Sequence, residues 1–136
     1  MAKNNQNLKR RILQEMTTDY ANALEKNFEL VKQFIRITSK GEIDVIIKDK
    51  LPGKERILLY LIGKLYAKEA ELAQVEYAGN KELQEELGIP RGSLLPWLKD
   101  LRDKNLIRAV KKGYHVISIN LIEKTLKMVE RKLKSK

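Results

Sequence analysis

The sequence predicts a mainly α chain with a small β-hairpin, an N-terminal helical extension and a C-terminal amphipathic helix. Three observations carry that prediction. Apolar residues recur three or four apart in several separate segments, the spacing of one buried helix face. Two β-branched runs, Ile107-Arg108-Ala109-Val110 and Tyr114-His115-Val116-Ile117-Ser118-Ile119, are joined by Lys111-Lys112-Gly113, a connection suited to a tight hairpin. The chain has 136 residues, 43% of them hydrophobic, which is enough for one compact core.

Residues 8–33 read as a long helix. Leu8, Ile12, Leu13, Met16, Tyr20, Leu24, Phe28 and Val31 form its apolar stripe, and no Gly or Pro interrupts it. The period then changes. Phe34, Ile35 and Ile37, followed after Ser39-Lys40-Gly41-Glu42 by Ile43, Val45 and Ile47, suit a short hairpin turning at Lys40-Gly41. The alternative is a helix running on to Thr38 with a lone strand over 43–48. Leu51-Pro52-Gly53 marks a boundary.

A second helix starts near Lys54, with Ile57, Leu58, Leu61, Ile62, Leu65 and Tyr66 in a wide stripe, and should end near Leu72. Val75-Glu76-Tyr77 reads as a very short strand. Asn80 is a good N-cap for a helix over 81–87, and Gly88 ends it in a left-handed turn. Residues 93–104 form the next helix. Leu94, Trp97, Leu98 and Leu101 make its buried face, so Trp97 is read as core rather than as a base-stacking residue. After the β-branched runs, a helix over 121–134 places Ile122, Leu126, Val129 and Leu133 on a two-heptad seam. The segments are therefore 1–52, 53–120 and 121–136.

Charge narrows the function classes. The chain carries 28 Lys plus Arg against 18 Asp plus Glu, a net +10. Residues 1–90 hold 15 basic and 14 acidic side chains; residues 91–136 hold 13 and 4. The excess in the last third is the composition expected of a surface facing a polyanion; the alternative is a solvated, Lys-rich surface of the kind common in heat-adapted proteins. There is no cysteine and one histidine, which leaves no thiolate chemistry and little for a metal site, so no cofactor is expected. Asp100/Asp103 and Glu85/Glu86 read as solvated charges or intrahelical partners rather than a catalytic pair. No phosphate loop or nucleophile elbow occurs, so an enzyme is not expected. The opening MAKNNQNLKRR lacks an apolar signal core, and no apolar run approaches a membrane span. A cytoplasmic protein without a membrane partner is expected.

From residue 54 the order is helix, short strand, helix, turn, helix, strand, basic turn, strand, helix. Residues 80–107 read NKELQEELGIPRGSLLPWLKDLRDKNLI. Their Leu-x-x-x-Leu-Gly-Ile helix, tight turn, second apolar-spaced helix and Lys-Asn-Leu-Ile exit resemble the winged helix-turn-helix superfamily, in particular its small archaeal or viral regulators. The resemblance covers about residues 54–120. It implies a recognition helix in a DNA major groove and a wing hairpin on the backbone. Carried over by position, the recognition-helix residues are Arg91, Gly92, Ser93, Leu95, Pro96, Lys99 and Arg102, and the wing residues are Arg108, Lys111, Lys112, Tyr114 and His115.

Two positions depart from the pattern. Leu95 and Pro96 stand where many members place polar readers, and Leu95 can touch a thymine methyl but donates no hydrogen bond. A proline is tolerated in the first turn of a helix. The recognition helix is therefore expected to start at Ser93 as N-cap, with Pro96 as its third helical residue.

The resemblance implies a DNA-binding transcriptional regulator, nucleoid-associated, whose partner is double-stranded DNA. The alternative is a winged-helix protein–protein interaction module in a transcription, replication or remodelling assembly, which Leu95 and Pro96 motivate. The apolar stripes of the N- and C-terminal helices suggest a homodimer, with two recognition helices one helical turn apart on a twofold site; the alternative is a monomer whose N-terminal helix folds back on the winged domain.

Overall fold

The computed structural model describes residues 2–12, 20–46 and 48–134. In chain order they form α1 (Ala2–Arg11), α2 (Tyr20–Lys26), α3 (Phe28–Val31), β1 (Ile35–Ile37), β2 (Ile43–Val45), α4 (Gly53–Glu69), β3 (Ala78–Gly79), α5 (Asn80–Leu87), α6 (Arg91–Asp103), β4 (Ile107–Lys111), β5 (Tyr114–Ile117) and α7 (Ile122–Lys134). Two 3-10 turns, Lys48–Lys50 and Ile119–Leu121, precede α4 and α7. No described helix is long and apolar enough to cross a membrane.

α4 is the axis of the molecule. Its Ile57, Leu58, Leu59, Leu61, Ile62 and Leu65 are all enclosed, so it is apolar around its whole circumference and must be covered on every side. β1 and β2, antiparallel with Ile35 opposite Val45, cover its middle. Gly63 permits that approach: a Cβ there would stand 2.5 Å from Ile43 Cγ2. α5, α6, β5 and α7 cover the rest. One apolar cluster runs from Leu24 to Val129, so the three sequence segments share a core.

Periodicity placed most helices correctly, and the N-terminal one needs correction. The stripe over 8–33 is not one helix. Residues 13–19 lie outside the described residues, and the helix is interrupted at Asn27, whose side-chain amide donates to the Ala23 carbonyl at 2.8 Å. Such a side-chain bond competes with the helix ladder. Leu24 and Val31 are buried, but Leu8, Ile12 and Phe28 are exposed. Residues 34–46 take the hairpin form, and Gly41 turns it at φ +85°.

α4 ends at Glu69 rather than near Leu72, because Glu71 enters the left-handed region and the Leu72 N–H bonds back to the Ala67 carbonyl. The short strand is Ala78–Gly79 rather than 75–77, since those two residues face His115 and Tyr114 in the sheet. The apolar seam of α7 is internal: Ile122, Leu126 and Val129 are buried, and Leu133 packs at the edge of the same core. Lys132 on that helix also reaches the buried Glu55 carboxylate at 3.3 Å.

Candidate nucleic-acid interface

α5 and α6 are placed by α4 and by each other. Tyr60 donates its hydroxyl to Glu82 at 2.6 Å, and Lys64 meets the same carboxylate oxygen at 3.2 Å, which fixes the start of α5 on α4. Burial and the Glu82 charge push the Tyr60 phenol far up. At the other end of α5, an Arg56 guanidinium N–H donates to the Leu87 carbonyl at 3.2 Å. Gly88 then turns the chain at φ +64°, a left-handed conformation that disfavours residues with a Cβ. α6 follows after Ile89 and Pro90. It lies with Leu94, Leu98 and Leu101 in the core.

α6 begins earlier than the sequence suggests. Pro90 is its N-cap and Arg91 its first residue, so Ser93 is helical and Pro96 is the sixth residue, inside the helix. Proline has no N–H, so the Gly92 carbonyl loses its i+4 donor. Both residues are exposed, and water can reach that carbonyl. Trp97 is only half-buried: its ring fills the space beside Gly53, where a Cβ would come within 2.0 Å of it. The tight fit there leaves no room for any other residue at position 53.

The earlier start aligns the outer face. Arg91, Gly92, Leu95, Pro96, Lys99 and Asp103 are exposed along one side of α6, with Ser93 and Arg102 half-exposed at its margins. The elements packed against α6 are α4, α5 and β4, all on its inner side. Arg91 has no ion-pair partner among the described residues. Lys99 bridges Asp103 at 2.9 Å. Asp100, toward the inner side, bridges Lys54 at 2.7 Å and Lys104 at 3.0 Å, and these two ammonium groups hold its carboxyl below the ordinary carboxylate range.

β3, β5 and β4 form an antiparallel sheet in that spatial order, with β5 in the middle. Gly113 turns β4 into β5 at φ +81°, and a register shift lies between Ala109 and Lys111. Arg108, Lys111 and Lys112 are exposed there. Lys111 Nζ stands 4.5 Å from the Tyr114 ring centroid and 5.6 Å from that of Tyr77. The two tyrosines meet edge to face with centroids 5.6 Å apart. Tyr114 in turn rests on Gly79, where a Cβ would come 3.0 Å from its ring. Tyr77 was not among the sequence candidates. Its role depends on Gly79 facing Tyr114 across the sheet, a pairing that no local pattern signals.

His115 does not belong to the exposed set. β5 is the middle strand, its residues from His115 to Ile117 are all buried, and His115 is only 2% exposed. Its Nε2–H donates to Asn80 Oδ1 at 2.8 Å, while Nδ1 is enclosed without a partner. Burial, and secondarily the nearby Arg102 charge, lower its pKa to about 4, so the ring is neutral at pH 7. The same contact removes Asn80 from capping duty: Gly79 is the N-cap, and the Asn80 N–H bonds to the Gly113 carbonyl at 3.0 Å. His115 and Asn80 thus tie the base of the hairpin to the start of α5, with the Arg102 charge near His115.

Of the twelve residues singled out, Arg91, Gly92, Leu95, Pro96, Lys99, Arg108, Lys111, Lys112 and Tyr114 are exposed, Ser93 and Arg102 are half-exposed, and His115 is buried. Among the described residues no group of three or more acidic or histidine side chains is placed to hold a metal ion. Compared with protein-family models, with curated proteins and with solved structures, the chain matches none.

Proposed function

We propose that residues 53–117 are a winged helix-turn-helix domain that binds duplex DNA, and that the chain acts as a transcriptional regulator by occupying its site rather than by catalysis. α6 enters the major groove, and the β4–β5 hairpin lies on the neighbouring backbone. The observation that carries this reading is the uncovered outer stripe of α6 beside a cationic hairpin. Arg91, Lys99 and Arg102 on the helix and Arg108, Lys111 and Lys112 on the hairpin face solvent in full or in part. The spatial order β3-β5-β4, with α5 and α6 between the first two strands in sequence, also supports it. Arg91 suits a guanine edge or a phosphate, and the lysines suit phosphates.

Binding through about six phosphates would release counterions, so affinity should fall roughly a thousandfold between about 50 and 200 mM salt. A gel shift on random-sequence duplex measures this, and a salt-independent affinity would contradict the mechanism. The exposed Leu95 and Pro96 favour a second reading, a protein-interaction module, in which the same duplex produces no shift at low salt.

A homodimer remains part of the proposal in a reduced form. The α7 seam is internal, so an apolar contact between copies falls to the N-terminal helix, where Leu8 and Ile12 are exposed. Light scattering at micromolar protein should then give twice the chain mass, and 15.8 kDa would rule the dimer out.

A further inference from the structure

The centre of the outer face of α6 has no side chain that can donate or accept a hydrogen bond. Gly92, Leu95 and Pro96 stand at i, i+3 and i+4, one stripe along the helix. Nothing lies within 4 Å of where a Gly92 Cβ would be, and Leu95 is 38% exposed. The cations are at the ends of the stripe: Arg91 before it, Lys99 and Arg102 after it.

Resting on the DNA-binding reading, we propose that this apolar stripe selects thymine, through its C5-methyl group in the major groove. The four base pairs differ there in donors, in acceptors and in one apolar group, the thymine methyl. A leucine pressed against a cytosine amino group or a guanine oxygen strips it of water and offers nothing in return, which is unfavourable. Against a thymine methyl it brings two apolar surfaces together. Pro96 widens the apolar area, and Gly92 lets the helix backbone approach the groove closely at that turn. The flanking Arg91, Lys99 and Arg102, with Lys111 and Lys112 on the adjoining hairpin, argue for a polyanion as the occupant rather than a protein.

The test uses the whole chain and two duplexes of alternating sequence, one of adenine and thymine, the other of adenine and uracil. They differ only in the methyl group. Fluorescence anisotropy at low salt should show the uracil duplex bound about fourfold more weakly for each methyl contacted, the effect of one buried carbon. Leu95→Ala should bring the thymine duplex down to the level of the uracil duplex without altering the salt dependence. Lys112→Gln should weaken both duplexes equally. Equal affinity of the unaltered chain for both duplexes overturns methyl selection and leaves DNA binding standing. No binding to either overturns both readings. Because the main comparison alters the DNA and not the protein, it does not depend on any variant folding.

Discussion

On α6 and at its C-cap the lysines sit beside carboxylates, Lys99 with Asp103 and Lys104 with Asp100, whereas the β4–β5 hairpin carries Arg108, Lys111 and Lys112 with no acidic residue from 104 to 122. The two surfaces differ in character. The helix face is apolar at its centre and weakly charged, so its contribution depends on shape. The hairpin contributes field: its cations lie close together, and Lys111 is held over two aromatic rings rather than by a carboxylate. An ammonium over an aromatic face keeps its full charge for a distant anion, whereas a lysine in a salt bridge is partly cancelled. The proposed division is that α6 discriminates and the hairpin supplies most of the affinity.

The sharpest way to break that division is to reverse the hairpin charge. Lys111→Glu with Lys112→Glu should weaken binding on the order of a hundredfold near physiological salt, with the same loss on every sequence and a shallower salt dependence. A loss confined to one sequence would move discrimination to the hairpin.

Acid should disturb the seam between the surfaces. In the unfolded chain His115 takes a proton near pH 6.5, but in the fold only near pH 4. The unfolded state therefore binds the proton first. Stability from this group is intact above about pH 6.5 and drains as pH falls toward 4, by about 2 to 3 kcal/mol in total. Urea unfolding at pH 7 and pH 4.5 measures it. Other groups also respond to acid, so the decisive quantity is the difference between the unaltered chain and His115→Gln, which should lose less stability on acidification.

The smallest effect belongs to the start of the helix. Arg91→Ala should cost about tenfold in affinity and relax sequence preference, since Arg91, without an ion-pair partner among the described residues, would stand at the entry to the groove in the proposed complex. Uniform weakening on all sequences would make Arg91 a phosphate contact only.

Much of this architecture was legible before any coordinates. Leu94, Leu98 and Leu101 repeat at helical spacing, Gly88 follows an apolar helix, and Lys111-Lys112-Gly113 separates two β-branched runs. Each of these is a local rule acting within a few residues. The misses arise where distant residues meet. Asn80 has the chemistry of an N-cap, but His115 arrives across the sheet and takes its side chain. His115 sits next to exposed hairpin residues in sequence, but its side chain is enclosed at the base of the hairpin against Asn80 at the start of α5. Pro96 argued for a helix starting at Ser93, yet Leu94, Leu98 and Leu101 packing against α4, α5 and β4 outweighed one missing hydrogen bond at a solvated position.

Local chemistry along the chain sufficed to name the helices from 53 onward, the hairpin and the concentration of cations after residue 90, because periodicity, turn residues and charge are all read over short distances. Which cations share a face, which polar groups are enclosed and where the apolar patch on α6 points were settled by packing around α4. Those outcomes depend on contacts between residues tens of positions apart, and no short stretch of sequence encodes them.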